Sequence, residues 1–376
     1  MNARLDAGQA GPRRPENATT AHETSSDVRR LPSVSVDSSP ATAPSAATSL
    51  PLGYDKRLML FSGRANPALA HRIAGKLNVD LGGVTLKTFD DGEVYCRYEE
   101  SIRGADVFIV QPTCGNEATG VSPNDALMEL LLMIDAAVGA SAHRVIAVTP
   151  WFGYSRQDKK SAPREPISAR LVARALESAG ADRVLTMDLH AGQIQGFFSK
   201  PVDHMTALFM LTQYFRDQQL EDLVVVSPDA GRVKLAKNFA SKVGAELAIL
   251  NKERPAQQVA EIGYVIGDVQ GRTAILVDDM IGTGGTLLAA ARTVMDEGAK
   301  RVFAVATHGI FSGNAYAKLK DSPFEQIVVT DTIPLRPGAP DKIQVLSCAD
   351  MLTDSIRRIF TDDSVSEVFG GENQLF

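Results

Sequence analysis

The chain has 376 residues, a formal net charge of −6 and 44% hydrophobic residues. That length suits about two ordinary domains, and the excess of acids over bases excludes a general nucleic-acid binder. No apolar run approaches the roughly 20 residues that a membrane helix needs. The best candidate, 126–140, contains Glu129 and Asp135, so no membrane span is expected.

Residues 1–55 are dominated by Ala, Ser, Thr and Pro and contain no Ile, Phe or Trp. Such a stretch buries too little apolar surface to offset its ordering entropy, so a disordered tail is expected. It has no apolar core of a secretory signal, and its acids (Asp6, Glu16, Glu23, Asp27 and Asp37) argue against a transit peptide. Cys96, Cys114 and Cys348 are too few and too scattered for a disulfide framework or zinc cluster. A cytoplasmic protein with inert thiols is the expectation.

From Arg57 onward, short apolar or β-branched runs alternate with stretches of helical spacing. Strands are expected at 58–61, 107–110, 145–149, 184–187, 223–226, 247–250, 274–277, 302–306 and 327–329. Among the helices, 124–138 opens on Ser122-Pro123, a capping residue followed by Pro at the first helical position. A second, 167–178, closes on Gly180. Buried strands alternating with helices predict parallel sheets covered on both faces. Nine strands exceed one small sheet, so two α/β units are expected, with a seam near residue 203.

In open α/β sheets ligands sit beyond the carboxyl ends of the strands, so the residues just past each strand carry the chemistry. The segment Phe89-Asp90-Asp91-Gly92-Glu93 reads as a hairpin turn. After 145–149 comes Trp151-Phe152-Gly153-Tyr154-Ser155-Arg156-Gln157, and after 184–187 comes Asp188-Leu189-His190. A histidine near carboxylates suits a metal or phosphate. The run 223–226 leads into Ser227-Pro228-Asp229, and 247–250 into a loop Asn251-Lys252-Glu253-Arg254-Pro255.

Most informative is 274–277, followed by Asp278-Asp279-Met280-Ile281-Gly282-Thr283-Gly284-Gly285-Thr286 and a helix at 287–295. Glycines let backbone N–H groups approach an anion, the helix N-terminus adds its positive end, and Thr283 and Thr286 add hydroxyls. The carboxylates repel phosphate but suit sugar hydroxyls, directly or through magnesium. No Gly-Lys-Ser/Thr follows, so the Walker phosphate loop is excluded. Together these features predict a ribose 5-phosphate site at Asp278, Asp279, Thr283, Gly284, Gly285 and Thr286.

This loop resembles the one shared by type I phosphoribosyltransferases and ribose-phosphate pyrophosphokinases. The run Asp188–Phe198, followed by Pro201-Val202-Asp203, resembles the signature of the pyrophosphokinases alone. The resemblance covers about residues 56 to 376. It implies two tandem phosphoribosyltransferase-like domains, each a mostly parallel sheet flanked by helices. An ATP-binding domain would span 56–203 and a ribose 5-phosphate domain 204–376, with the last residues returning to the first domain.

The resemblance further implies transfer of the diphosphoryl group of ATP to the C1 hydroxyl of ribose 5-phosphate, giving 5-phosphoribosyl 1-diphosphate and AMP. His190 and Asp229 would bind Mg2+, and Lys252 and Arg254 would clamp the nucleotide phosphates. Phe89, Asp91 and Glu93 would hold adenine, and Arg156 and Gln157 would contact ATP. Ser101, Arg103, Arg164, Ser364 and Ser366 match a second anion site of family members activated by phosphate and inhibited by ADP. A homo-oligomer, a hexamer, is implied.

Three positions depart from the family pattern: Gly282 replaces an Asp, Ala230-Gly231-Arg232 replaces His-Gly-Gly, and Glu253 sits where a base is common. A non-catalytic regulatory paralogue and a phosphoribosyltransferase therefore remain alternatives.

Overall fold

Each of the nine apolar runs forms a strand. The structure, a computed structural model, describes residues 56–253 and 262–369; the expected tail at 1–55 and Arg254 lie outside them. The first part of the chain runs β1 (Leu58–Ser62), α1 (Pro67–Leu77), β2 (Val84–Thr88), β3 (Val94–Tyr98), β4 (Asp106–Val110), α2 (Pro123–Gly139), β5 (Arg144–Thr149), α3 (Ser168–Ala179), β6 (Arg183–Met187) and β7 (Val202–Met205). Strands β1-β4-β5-β6-β7 make a parallel sheet, while β2 and β3 form a separate hairpin. The expected seam at residue 203 falls inside β7.

The chain continues through α4 (Leu208–Asp217), β8 (Leu223–Ser227), α5 (Val233–Val243), β9 (Glu246–Glu253), β10 (Ile262–Ile266), β11 (Thr273–Ile281), α6 (Gly285–Asp296), β12 (Arg301–Gly309), α7 (Ala315–Lys320), β13 (Phe324–Thr330), β14 (Ile343–Leu346) and α8 (Ala349–Thr361). The second sheet has the order β10-β9-β8-β11-β12-β13-β14 and is parallel except for β10 against β9. Both are mostly parallel sheets flanked by helices, as expected.

The expected helix signals act as read. Ser122 Oγ accepts from Asp125 N at 3.2 Å while Asp125 Oδ2 accepts from Ser122 N at 2.9 Å, a reciprocal cap for α2. Gly180 closes α3 at φ 105°, in the left-handed region.

The expected strand ends at 250 and 277, each leading into candidate site residues, prove too short. Strand β9 runs to Glu253, with Lys252 opposite Gly263 on β10, so Asn251, Lys252 and Glu253 are strand rather than loop. Strand β11 continues to Ile281, pairing Asp278 with Ala306 and Met280 with His308. In both places backbone pairing with a neighbour extends the strand past its apolar run. A ladder needs N–H and C=O groups, not apolar side chains.

The first sheet packs one face on α2 and α3, through residues such as Ile109, Ala147, Leu130 and Leu176. Its other face (Leu60, Phe108, Val148, Leu185) shares a single apolar cluster with Ile275, Phe303 and Val328 of the second sheet and with α1, α4, α5 and α8. A further cluster lies between the second sheet and α6 and α7. Burial pushes the Cys114 thiol up to about 12 and the half-buried Cys96 up to about 11, as suits inert thiols.

Phe215 of α4 is fully buried in the shared cluster, its ring 5.9 Å from Phe239 and 6.0 Å from Phe303. Truncating such a ring leaves a cavity, so Phe215→Ala should cost about 3–5 kcal/mol. Denaturant titration followed by fluorescence and circular dichroism checks this; a loss below about 1 kcal/mol would contradict the shared core.

Candidate functional site

The carboxyl ends of β6, β8, β11 and β12 converge, one from the first sheet and three from the second. Their junction is Asp188, which follows β6 with a left-handed φ of 35°. Its Oδ2 accepts from Ala207 N at 2.8 Å and from Thr307 Oγ1 at 2.6 Å. His308, fully buried at the end of β12, has Nε2 at 3.1 Å from both the Met187 and Asp188 carbonyls, so Nε2 carries a proton and donates. Its Nδ1 lies 2.9 Å from Thr332 Oγ1, and Trp151 packs edge-on against the ring. Burial lowers the His308 pKa and keeps the ring neutral despite the nearby Asp188 charge.

His204 on β7 fixes the next residue. Its Nε2 accepts from Leu189 N at 2.8 Å, which requires the neutral ring. Burial pushes His204 down to about 4, with Asp188 opposing and His308 reinforcing.

Beyond this junction His190 meets Asp279, one of the two adjacent carboxylates on β11. Its Nδ1 is 2.7 Å from Asp279 Oδ2 and 2.6 Å from Arg232 Nη2. One nitrogen cannot donate to a carboxylate and accept from a guanidinium at once, so the two contacts belong to alternative tautomers. Arg232 Nη1 also donates to the His190 carbonyl at 3.1 Å. Its Nε lies 3.3 Å from Asp278 Oδ1 and its Nη2 2.9 Å from Asp279 Oδ1. The Asp279 Oδ1 contact is close enough for an ion pair but out of line for a hydrogen bond, so this buried oxygen keeps an unused lone pair.

The two carboxyls part company electrostatically. Burial, then the adjacent Asp279, pushes Asp278 well above the usual carboxylate range. Burial opposes ionisation of Asp279 too, but the His190 hydrogen bond and the Arg232 charge outweigh it and hold Asp279 below that range. Asp279 is thus the ionised member, and Asp278 the one that takes up a proton first.

The loop expected to hold a phosphate follows the same strand. Ile281 O accepts from Ile310 N and Phe311 N, both at 3.0 Å, and Gly282 O from Ser312 N at 3.1 Å. Gly284 turns the chain into α6 at φ 71°, a conformation that costs glycine least. Thr283 and Thr286 are exposed, and Gly285 opens the 12-residue helix α6, whose first-turn N–H groups suit an anion. A Cβ at Gly282 would stand 3.7 Å from Arg156 Nη1, so Arg156 reaches the loop from the first sheet. Gln157, also exposed, is tied to the start of α3, its Oε1 accepting from Ser168 Oγ and its carbonyl from Ala169 N.

Asp229 caps the turn that leads into α5, its Oδ1 accepting from Gly231 N at 2.8 Å and Arg232 N at 3.1 Å. Among the described residues no group of three or more His, Cys, Asp or Glu could cage a metal. Magnesium is commonly held by one or two protein groups together with substrate phosphates, and His190 and Asp229 carry donors of the right chemistry.

The remaining expected residues lie apart from this cluster. Phe89, Asp91 and Glu93 share the tip of the β2–β3 hairpin, where Phe89 is 43% exposed with Lys87 Nζ 4.8 Å from its ring centre. Glu93 N donates to Asp91 Oδ1 at 3.1 Å, and Arg64 ties the hairpin to the end of β1 through Thr88. Ser101, Arg103 and Arg164 are exposed, and the Ser101 and Arg103 carbonyls accept from Arg57. Ser364 and Ser366 hydrogen-bond each other at 2.7 Å, near the end of α8. Of Lys252 only the strand position is described.

Sequence reasoning missed Arg232, Thr307, His308 and His204. The strand-end rule would have found Thr307 and His308, which come directly after the run 302–306. Arg232 was visible only as a departure from a pattern.

Two parallel sheets meeting at their carboxyl ends, with a glycine loop on one and a histidine on the other, place the chain among α/β proteins that handle phosphorylated sugars. The profile of the N-terminal domain of ribose phosphate pyrophosphokinase matches residues 58–180, and that of the phosphoribosyl synthetase-associated domain matches 251–370. A ribose-phosphate pyrophosphokinase of Gloeobacter violaceus is 50% identical over 318 residues, 84% of this chain and 94% of that protein. One from Caldanaerobacter subterraneus is 50% identical over 318 residues, 84% of this chain and 99% of that protein. The crystal structure of phosphoribosylpyrophosphate synthetase from Mycobacterium smegmatis superposes with a TM-score of 0.76 at 44% identity, covering 82% of this chain and all of that one. The chain belongs to the ribose-phosphate pyrophosphokinase family.

Neutral His204 stabilises the fold above its unfolded pKa near 6.5, and that contribution is lost as pH falls through about 4. The amount is about 3 kcal/mol, and His204→Gln should flatten the corresponding slope of stability between pH 7 and 4. Denaturation midpoints across that range test it; equal slopes for parent and variant would refute the assignment.

Proposed function

We propose that the chain transfers the β,γ-diphosphoryl group of ATP to the C1 hydroxyl of ribose 5-phosphate, giving 5-phosphoribosyl 1-diphosphate and AMP. The observation that carries this reading is the contact of His190, past β6, with Asp279 on β11, the strand that leads into the Gly284 loop. Thr283, Gly284, Gly285 and Thr286 hold the 5-phosphate, and Asp278 and Asp279 accept from sugar hydroxyls. Phe89, Asp91 and Glu93 take the adenine, and Arg156 and Gln157 serve ATP.

His190 and Asp229 hold Mg2+, which when bound offsets charge on the ATP phosphates. Lys252 and Arg254 clamp those phosphates, while the two sites align the anomeric oxygen with the β-phosphorus. Orientation and charge carry such a transfer, with little covalent work for the protein. No residue is assigned as general base.

The same reading divides the chain into a tail at 1–55, an ATP domain at 56–203 and a ribose 5-phosphate domain at 204–376. It includes a cytoplasmic homohexamer regulated by phosphate and ADP at Ser101, Arg103, Arg164, Ser364 and Ser366. Activity measured against phosphate concentration tests the last point; a flat response across the millimolar range would remove it.

The central test is AMP formation from ATP with magnesium and phosphate, with and without ribose 5-phosphate. AMP should depend on the sugar, and Lys252→Ala should lower kcat by about a hundredfold or more. ATP binding without AMP would favour a regulatory paralogue. Diphosphate release with a nucleobase, independent of ATP, would favour a phosphoribosyltransferase.

A further inference from the structure

Gly282 departs from the family pattern, and nothing in the backbone requires a glycine there. Its φ lies outside the left-handed region, unlike that of Gly284. A Cβ at this position would meet one atom within 4 Å, Arg156 Nη1 at 3.7 Å, which is ordinary contact. What the glycine does is leave the space beside a guanidinium open.

Both sides of that space are fixed. On the loop side, Gly282 O accepts from Ser312 N at 3.1 Å. On the other, Gly153 N donates to Thr113 Oγ1 at 2.6 Å and Gln157 N to Tyr154 O at 2.9 Å, which holds the turn that carries Arg156. Arg156 is exposed, and its guanidinium makes no hydrogen bond or ion pair with any described residue. Arg232, by contrast, is paired with both Asp278 and Asp279. An unpaired guanidinium keeps its planar fork of N–H donors for a phosphate. A carboxylate on residue 282 would start from a Cβ already beside Nη1 and compete for those donors.

We propose that Gly282 sets the nucleotide affinity of the site: by withholding a carboxylate from Arg156, it leaves that cation to the polyphosphate of ATP. The inference rests on the reading of Arg156 as an ATP contact. A residue of the sugar-phosphate loop then governs binding of the other substrate. The effect of an acid at 282 is electrostatic, local and conditional on Arg156. A glycine kept only for the shape of the loop would instead show a cost for any side chain, charged or not.

The test is a double-mutant cycle read by calorimetric titration of α,β-methylene ATP with Mg2+ into the full chain. The methylene group replaces the bridging oxygen of the linkage that the reaction breaks. Gly282→Asp should raise Kd about fivefold, the upper worth of an exposed ion pair. Gly282→Asn, with the same shape and no charge, should change it less than about twofold. Arg156→Gln alone should raise Kd about tenfold or more. In that background Gly282→Asp should add at most about twofold. If Gly282→Asp does not fold by circular dichroism, Gly282→Glu against Gly282→Gln supplies the same comparison.

An unchanged Kd in Gly282→Asp, an equal loss in Gly282→Asn, or an undiminished loss in the Arg156→Gln background each overturns the inference alone. A parent that does not bind the analogue, or an Arg156→Gln variant that binds it as the parent does, overturns the ATP reading of Arg156 and the inference with it.

Discussion

The carboxylate of Asp188 lies almost wholly out of water at the end of a parallel strand, with no partner on its own strand. Its hydrogen bonds come from Ala207, past the end of the first sheet, and from Thr307 on the second. A buried carboxylate left without such partners costs several kcal/mol, so the two sheets are compelled into one relative placement. His308 repeats the constraint from the backbone side by donating to the Met187 and Asp188 carbonyls. His190 is two residues further on and inherits its position from this junction. The apolar cluster shared by both sheets supplies the bulk of the burial, but it is non-directional; the polar junction sets the register.

Around that junction charge is graded rather than uniform. His308 and His204 are kept neutral by burial, Asp279 is ionised by its partners, and Asp278 leans toward its protonated form. His308 and His204 therefore act as fixed hydrogen-bonding groups beside the two acids and the permanent cation of Arg232. On the other side of Ile281, in the loop proposed for phosphate, N–H groups and hydroxyls replace carboxylates. One strand thus separates carboxylate acceptors from donors suited to an anion within a few residues.

Much of this arrangement was legible in the chain. Parallel strands buried on both faces announce themselves as continuous apolar runs, which is why the cores of β1, β4, β5, β6, β8, β9, β11, β12 and β13 could be read directly. The strands that escaped are half-buried or marginal: β2 and β3 in the hairpin, β7 with Asp203 and His204, β10 and β14 at sheet edges. Each pairs with a strand adjacent to it in the chain. The continuation of β11 through Asp278 and Asp279 was hidden because their charges read as a strand end until β12 is placed beside them. Of the site, the glycine loop and His190 carry local signatures. The junction of Asp188 with Thr307 and His308 spans more than a hundred residues and has none.

Helix α8 ends at Asp362, whose carboxylate meets Arg144 at the start of β5 and Lys56 just before β1, 306 residues away in sequence. The shared cluster likewise draws on Leu352, Ile356 and Ile359 of the same helix. During synthesis at about 5–20 residues per second, β1 therefore emerges roughly 15–60 s before the helix that covers it. For that interval the part of the face that α8 covers stands open to water. A helix made late thus closes over a strand made early.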